Sequence, residues 1–253
     1  MIESVLFEVS RGRATLTLNR TDVRNALTPD LLEGLADALR RAIADDSVRV
    51  IILTNSGHVF CAGADLSAGR AATPPPSAGL DDILTAMMDS PKPIVGRVAG
   101  HCMGGGVGLA AACDISIAHE AVRFGFTEVR IGVAPAVVSV VCLPKLRRSD
   151  ALELFLTGER IDAARAADVG LITAVVAEDE LDDAVESLVR KLAAGGPGAL
   201  AAAKGLVFAV PGMERSAAFA WTTSLSGELF SSEEASEGMA AFRDKRSASW
   251  VPE

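Results

Sequence analysis

The segment Gly100-His101-Cys102-Met103-Gly104-Gly105-Gly106-Val107-Gly108 closes an apolar run, PIVGRVAG at 93–100, and leads into an alanine-rich stretch. A chain that leaves a strand through glycines and enters a helix presents backbone N–H groups with no partner inside the helix, backed by the positive end of its dipole. Such a turn takes an anion, either a phosphate or a carbonyl oxygen that gains charge during a reaction. The spacing is neither the G-x-G-x-x-G of a dinucleotide fold nor the G-x-x-x-x-G-K-[ST] of a P-loop. A tight turn with no ligand is the remaining alternative.

The elements around it alternate. Residues 14–19 (ATLTLN) exchange apolar and polar positions as a half-buried strand does, and Thr28-Pro29-Asp30 caps a helix with Leu31, Leu32, Leu35, Leu39, Ala42 and Ile43 on one face. VRVIILT (48–54) is a continuous apolar run, as in a strand covered on both faces. The order recurs with a strand at 93–100, the glycine-started helix, a strand at 114–119, two helices (SDALELFLTG and DAARAADVG) and a strand at 171–176. This is the grammar of an α/β core. From Asp179 the pattern turns helical, with Leu181, Val185, Leu188, Val189 and Leu192 on one face, then a break at Gly195-Gly196-Pro197. Later helices are expected over 198–209, 214–230 and 233–246, giving a core at 1–195 and a helical region at 196–253. Residues 64–90, with Thr73-Pro74-Pro75-Pro76, are the least orderly stretch, either a lid over the neighbouring segment or a surface linker.

Composition removes several classes of function. A net charge of −9 with 24 scattered basic residues disfavours nucleic acid. No uncharged apolar run approaches the roughly 18 residues that span a bilayer, and MIESVLFEVS shows no leader pattern, so no membrane association and a cytoplasmic location are expected. Cys61, Cys102, Cys113 and Cys142 form no C-x-x-C pair, and they are expected to be small buried hydrophobes without a disulfide or a metal.

A second glycine turn, Phe60-Cys61-Ala62-Gly63-Ala64-Asp65-Leu66, directly follows the buried strand. Two exposed amides converging from separate strand ends are what an oxyanion hole requires.

Together the two turns resemble the crotonase (enoyl-CoA hydratase/isomerase) superfamily, with F-C-A-G-A-D-L and A-G-x-x-x-G-G-G-x-x-L-A-x-A-C-D in the family's order and separation. The likeness runs along the chain through Arg24-Asn25-Ala26-Leu27, Lys92-Pro93, Phe124-Gly125-Phe126-Thr127-Glu128, Leu156-Thr157-Gly158 and the C-terminal Glu237–Phe242 with Lys245-Arg246. The resemblance implies a spiral of ββα units with a C-terminal helical trimerisation region, assembled as a homotrimer or a dimer of trimers. It implies an acyl-CoA thioester as substrate, coenzyme A being part of that substrate with no separate cofactor. The thioester oxygen would accept from the amides of Ala64 and Gly105. Backbone near Arg24, Asn25, Leu27 and Ala62 would hold the coenzyme, and Phe242 and Lys245, from a neighbouring subunit, would meet its nucleotide end.

Hydratases of this superfamily flank a water with two glutamates. Here the first of these positions is Gly108, and the second is kept as Glu128. Water addition needs both a base for the water and an acid for the α-carbon, so Glu128 alone implies a slow hydratase-like lyase. Asp65, His101 and Asp114 are the ionisable residues close enough in sequence to substitute. The GGGVGL stretch is also similar to that of 3-hydroxyacyl-CoA hydrolases, whose aspartate would fall near Ala136. Hydrolysis, isomerisation and CoA-thioester binding with vestigial catalysis are the alternatives.

Overall fold

The computed structural model describes residues 3–66 and 77–252. It opens with an antiparallel hairpin, β1 (Val5–Ser10) and β2 (Arg13–Leu18), followed by α1 (Pro29–Ala44). The Thr28 hydroxyl accepts the Leu31 N–H at 3.4 Å and Pro29 takes the first helical position, so the helix starts where its capping residues place it. Its buried face is Leu31, Leu32, Leu35, Ala38, Leu39 and Ala42.

Three units then repeat one order, in which each strand of a large sheet is followed by a strand of a small sheet and a helix. They are β3 (Val50–Asn55), β4 (Val59–Cys61) and α2 (Leu80–Asp89); β5 (Ile94–Val98), β6 (His101–Met103) and α3 (Gly105–Ala112); and β7 (Ile115–His119), β8 (Arg123–Gly125) and α4 (Ala136–Cys142). Helix α5 (Arg148–Thr157), β9 (Arg160–Asp162), α6 (Ala163–Asp168) and β10 (Ala174–Val176) close the core. The large sheet runs β1-β2-β3-β5-β7-β10 and the small one β4-β6-β8-β9, parallel except at β1/β2 and β8/β9. This is the ββα spiral.

Every residue of β3 is buried, and alternation explains how. Ile51 and Leu53 face the main core, while Val50 and Ile52 pack with Val95 and Ile117 against Leu181, Val185, Val189 and Ala193 of α7 (Leu181–Ala193). A sheet covered on both faces reads as an unbroken apolar run. Helix α3 is buried along its whole length, which only small side chains permit.

Several elements differ from the sequence reading. The strands of the small sheet are three residues each, too short to show a period. Strand 171–176 shortens to Ala174–Val176, and β1 and α4 were not anticipated. Within 64–90, residues 80–89 form α2; most of the expected lid, 67–76, lies outside the described residues.

The tail is α8 (Pro197–Ala209), α9 (Arg215–Phe230) and α10 (Glu233–Asp244). Lys204 fastens α8 to the core by donating to the Met87 carbonyl at 2.8 Å and to Asp114 Oδ2 at 3.0 Å. No residue of α8 or α9 is buried in the single chain, and Phe208, Phe219 and Phe230 are exposed. No single described helix is long and apolar enough to cross a membrane.

Candidate active site

The small sheet builds the site. Strands β4, β6 and β8 are parallel neighbours, so their C-terminal ends open on one edge and deliver Ala62–Ala64, Gly104–Gly105 and Thr127–Glu128 to one place. These three segments border a cavity of about 410 Å³.

The first segment is held by the bend before α1. Arg24 and Asn25 both sit in the left-handed region, at φ 56° and 51°. This fold in the backbone lets the Arg24 carbonyl accept the Ala62 N–H at 3.2 Å and the Leu27 N–H reach the Gly63 carbonyl at 2.8 Å. The buried Asn25 amide secures the bend: its Oδ1 accepts the Arg20 N–H at 2.6 Å, and its Nδ2 donates to the carbonyls of Ser56 at 3.2 Å and Val59 at 2.8 Å. With its side chain spent in this way, Asn25 acts on the site through the backbone.

Gly63 brings the two glycine turns into contact. Its φ is +85°, and a Cβ placed there would lie 2.9 Å from the Met103 carbonyl oxygen and 3.4 Å from the Gly105 nitrogen. Only glycine permits both that conformation and that approach. Gly105 is the first residue of α3, so its N–H has no acceptor within the helix. Among the described residues, neither the Ala64 N–H nor the Gly105 N–H is engaged by a carbonyl or a side chain. The Gly104 N–H donates to the Gly125 carbonyl at 2.9 Å, which ties this turn to the next strand.

Glu128 arrives on that strand's extension, a 3-10 turn over Thr127–Ile131. Phe126 anchors the turn against Phe155 with ring centroids 4.3 Å apart, and the Val133 N–H donates to the Glu128 carbonyl at 3.2 Å. The carboxylate lies over Gly104, where a Cβ would be 3.1 Å from Oε1 and 3.7 Å from Oε2. Oε2 is buried and has no hydrogen-bond partner among the described residues, and burial raises the Glu128 pKa above the ordinary carboxylate value. Among the described residues Glu128 is the one carboxylate lining the cavity.

The remaining wall is apolar: Leu27, Leu66, Leu80, Ile131, Val133, Ala134, Pro135, Ala136, Val137 and Val138. Leu80 comes from the stretch that reads as a loop, and the 131–138 wall from the segment after Glu128. The signal for that wall was present as a run of apolar residues, without a motif to say what it encloses.

The three suggested substitutes for the missing glutamate do not line the cavity. Asp114 accepts the Ile94 N–H at 2.7 Å and the Lys204 ammonium, bracing the turn that leaves α3. His101 begins β6, at the opposite end from the glycines, with Nδ1 accepting the Arg123 N–H at 3.1 Å; burial first, then Arg123, lowers its pKa. Asp65 is half-buried beside Ala64. All four cysteines are free and buried, and burial pushes the Cys61 thiol, next to the first turn, up to about 12. Phe242 and Lys245 lie on and just after α10 and do not line this cavity, with Phe242 88% exposed.

Known proteins resemble this chain along its length. Residues 8–252 match the family described as enoyl-CoA hydratase/isomerase. The chain is 31% identical over 251 residues to the (E)-benzylidenesuccinyl-CoA hydratase of Thauera aromatica, covering 96% of each protein. The crystal structure of an enoyl-CoA hydratase from Mycobacterium smegmatis superposes with a TM-score of 0.89 at 32% identity, covering 98% of each chain. An enoyl-CoA hydratase from Bacillus anthracis superposes with a TM-score of 0.90 at 28% identity, over 99% of this chain and 100% of that one.

Proposed function

The chain is an enzyme of the enoyl-CoA hydratase/isomerase family, of the crotonase superfamily, and from that premise we propose that it acts on enoyl-CoA thioesters through an oxyanion hole and a single glutamate. The thioester oxygen accepts from the Ala64 and Gly105 amides, which hold the enolate that forms when charge leaves the α- and β-carbons. Each such preorganised donor is worth about 3 to 4 kcal/mol in the transition state. Glu128 is the acid–base: it takes a proton from water as the oxygen bonds to the β-carbon, then gives that proton to the α-carbon. The observation that carries this reading is the Glu128 carboxylate, packed over Gly104, at one cavity with two amides, where among the described residues one carboxylate oxygen has no partner and the amides no acceptor.

A second reading, double-bond isomerisation, is favoured by the lack of another carboxylate in the described cavity wall. It needs only one group to move a proton between carbons.

The coenzyme arm would run along the backbone of Arg24, Asn25, Leu27 and Ala62. Phe242 and Lys245 would reach its nucleotide end from a neighbouring subunit of a homotrimer or a dimer of trimers, with Lys245 as a point charge for phosphate. Supporting this assembly, α8 and α9 bury nothing in one chain and expose Phe208, Phe219 and Phe230. Light scattering on the whole chain tests it, with three or six copies expected and a monomer the opposing result. A reducing compartment such as the cytoplasm suits four free thiols.

A panel of 2-enoyl-CoA thioesters tests the reaction. Water addition is expected to appear as loss of the conjugated thioester's absorbance, without free CoA. Release of CoA, read with a thiol reagent, would instead establish hydrolysis.

A further inference from the structure

Helix α3 turns Gly108 towards helix α4, where a Cβ on Gly108 would lie 2.5 Å from Val138 Cγ1 and 3.0 Å from Val138 Cβ. Real side chains do not approach so closely. Gly108 is buried and does not border the cavity, whereas Val138, 3% exposed, does. The valine therefore stands between the glycine and the substrate space, and its methyl occupies the volume that any side chain at 108 would need. The two residues form one packing unit on adjacent helices.

This unit sits in the wall formed by Val133, Ala134, Pro135, Ala136 and Val137, none of which carries a polar side chain. A water placed there to attack a β-carbon would have Glu128 as its one carboxylate partner among the described lining residues. A bound water needs at least two polar partners to offset its confinement.

We propose that Val138 is the residue that sets the reaction specificity of this site. By filling the space over Gly108 it keeps that wall dry, which slows water addition at the β-carbon relative to proton transfer by Glu128 at the α-carbon. The proposal rests on the assignment of Glu128 and the two amides made above. In proton transfer the α-C–H electron pair moves into the enolate as Glu128 takes the proton, the carboxyl exchanges it with solvent, and a solvent-derived proton returns to carbon. In hydration the water oxygen bonds to the β-carbon, its proton passes to Glu128, and the π pair closes on a proton at the α-carbon.

The test compares wild type with Val138→Ala, Gly108→Glu, Gly108→Glu/Val138→Ala and Gly108→Glu/Val138→Gly. Three quantities are read: hydration of a 2-enoyl-CoA thioester, deuterium uptake from D2O at the α-carbon of a 3-enoyl-CoA thioester, and thermal unfolding. Val138→Ala is expected to raise hydration relative to exchange about tenfold. Gly108→Glu alone is expected to lower the Tm and gain no hydration, since the new side chain meets Val138. The double variants recover the Tm and raise hydration about 100-fold over wild type, the scale of one added acid–base group. The proposal is overturned if Gly108→Glu alone folds like wild type and hydrates as well as the doubles, or if Val138→Ala leaves the ratio unchanged. A wild-type enzyme with no exchange at all overturns the Glu128 assignment itself, and the proposal with it.

Discussion

Replacing Glu128 by Gln is expected to lower turnover of an enoyl-CoA thioester by about 10²- to 10⁴-fold while its affinity changes little, because the amide keeps the shape and loses the proton-transfer function. The same substitution is expected to stabilise the fold at neutral pH. Glu128 is held half-buried with an unpartnered oxygen, and its pKa lies above the ordinary carboxylate value because burial disfavours the charge. A carboxylate whose folded pKa is raised contributes stability below its unfolded value, near pH 4.3, and that contribution is lost as pH rises through the folded value. At pH 7 the ionised group is therefore a cost that Gln removes. The Tm gain should be present at pH 7 and vanish below pH 4. Turnover by the wild-type enzyme should rise with pH through the same raised pKa, since the base form starts the reaction. Unchanged turnover in Glu128→Gln would leave the thioester-binding reading with vestigial catalysis standing instead.

Opposite signs for activity and stability would mark Glu128 as a functional residue. A carboxylate retained for the fold would have a partner, as Asp114 has in Lys204 and the Ile94 amide. Glu128 Oε2 has no such partner among the described residues.

What could be read ahead of the structure follows from how local each feature is. Helix α1 announces itself through Thr28, Pro29 and a leucine face, all within one stretch of chain. Strand β3 does so through a run that only a doubly covered strand explains. The small sheet was hidden because three-residue strands carry no period, yet it is this sheet that aligns the segments bordering the cavity. That Ala64, Gly105 and Glu128 would meet at one place was still legible, since glycine turns after strands have a recognisable chemistry and a family pattern, and all three border one cavity. The apolar wall was not. Val138 packs where a side chain at Gly108, thirty positions earlier, would lie, and a packing pair across two helices leaves no trace in either neighbourhood. The same holds for Asn25, whose role in bending the chain beside Ala62 depends on carbonyls at 56 and 59.

Substituting Gly63 by Ala is expected to reduce turnover by about 10²- to 10³-fold, comparable to removing one oxyanion donor. The substitution acts on the distance between the two turns rather than on any side chain. A Cβ at Gly63 meets the Met103 carbonyl oxygen at 2.9 Å and must either push the glycine turn of α3 away or withdraw the segment holding Ala64. Either movement separates the two amides. Withdrawal would also strain the 2.8 Å bond from Leu27 to the Gly63 carbonyl. The positive φ adds a cost of about 1 to 3 kcal/mol for a residue with a side chain, or several degrees of Tm in a chain of this size. Loss of turnover could then reflect strain alone, and Gly57→Ala separates the two causes. Gly57 has a similar φ of +74°, but its Cβ would meet only the Thr21 side chain, at 3.0 Å, in the turn before β4. Gly57→Ala should lose stability and keep its turnover, whereas Gly63→Ala, assayed well below its own Tm, should lose both. Equal kinetic losses in the two variants, or full turnover in Gly63→Ala, would mean that the contact between the glycine turns does not govern the reaction.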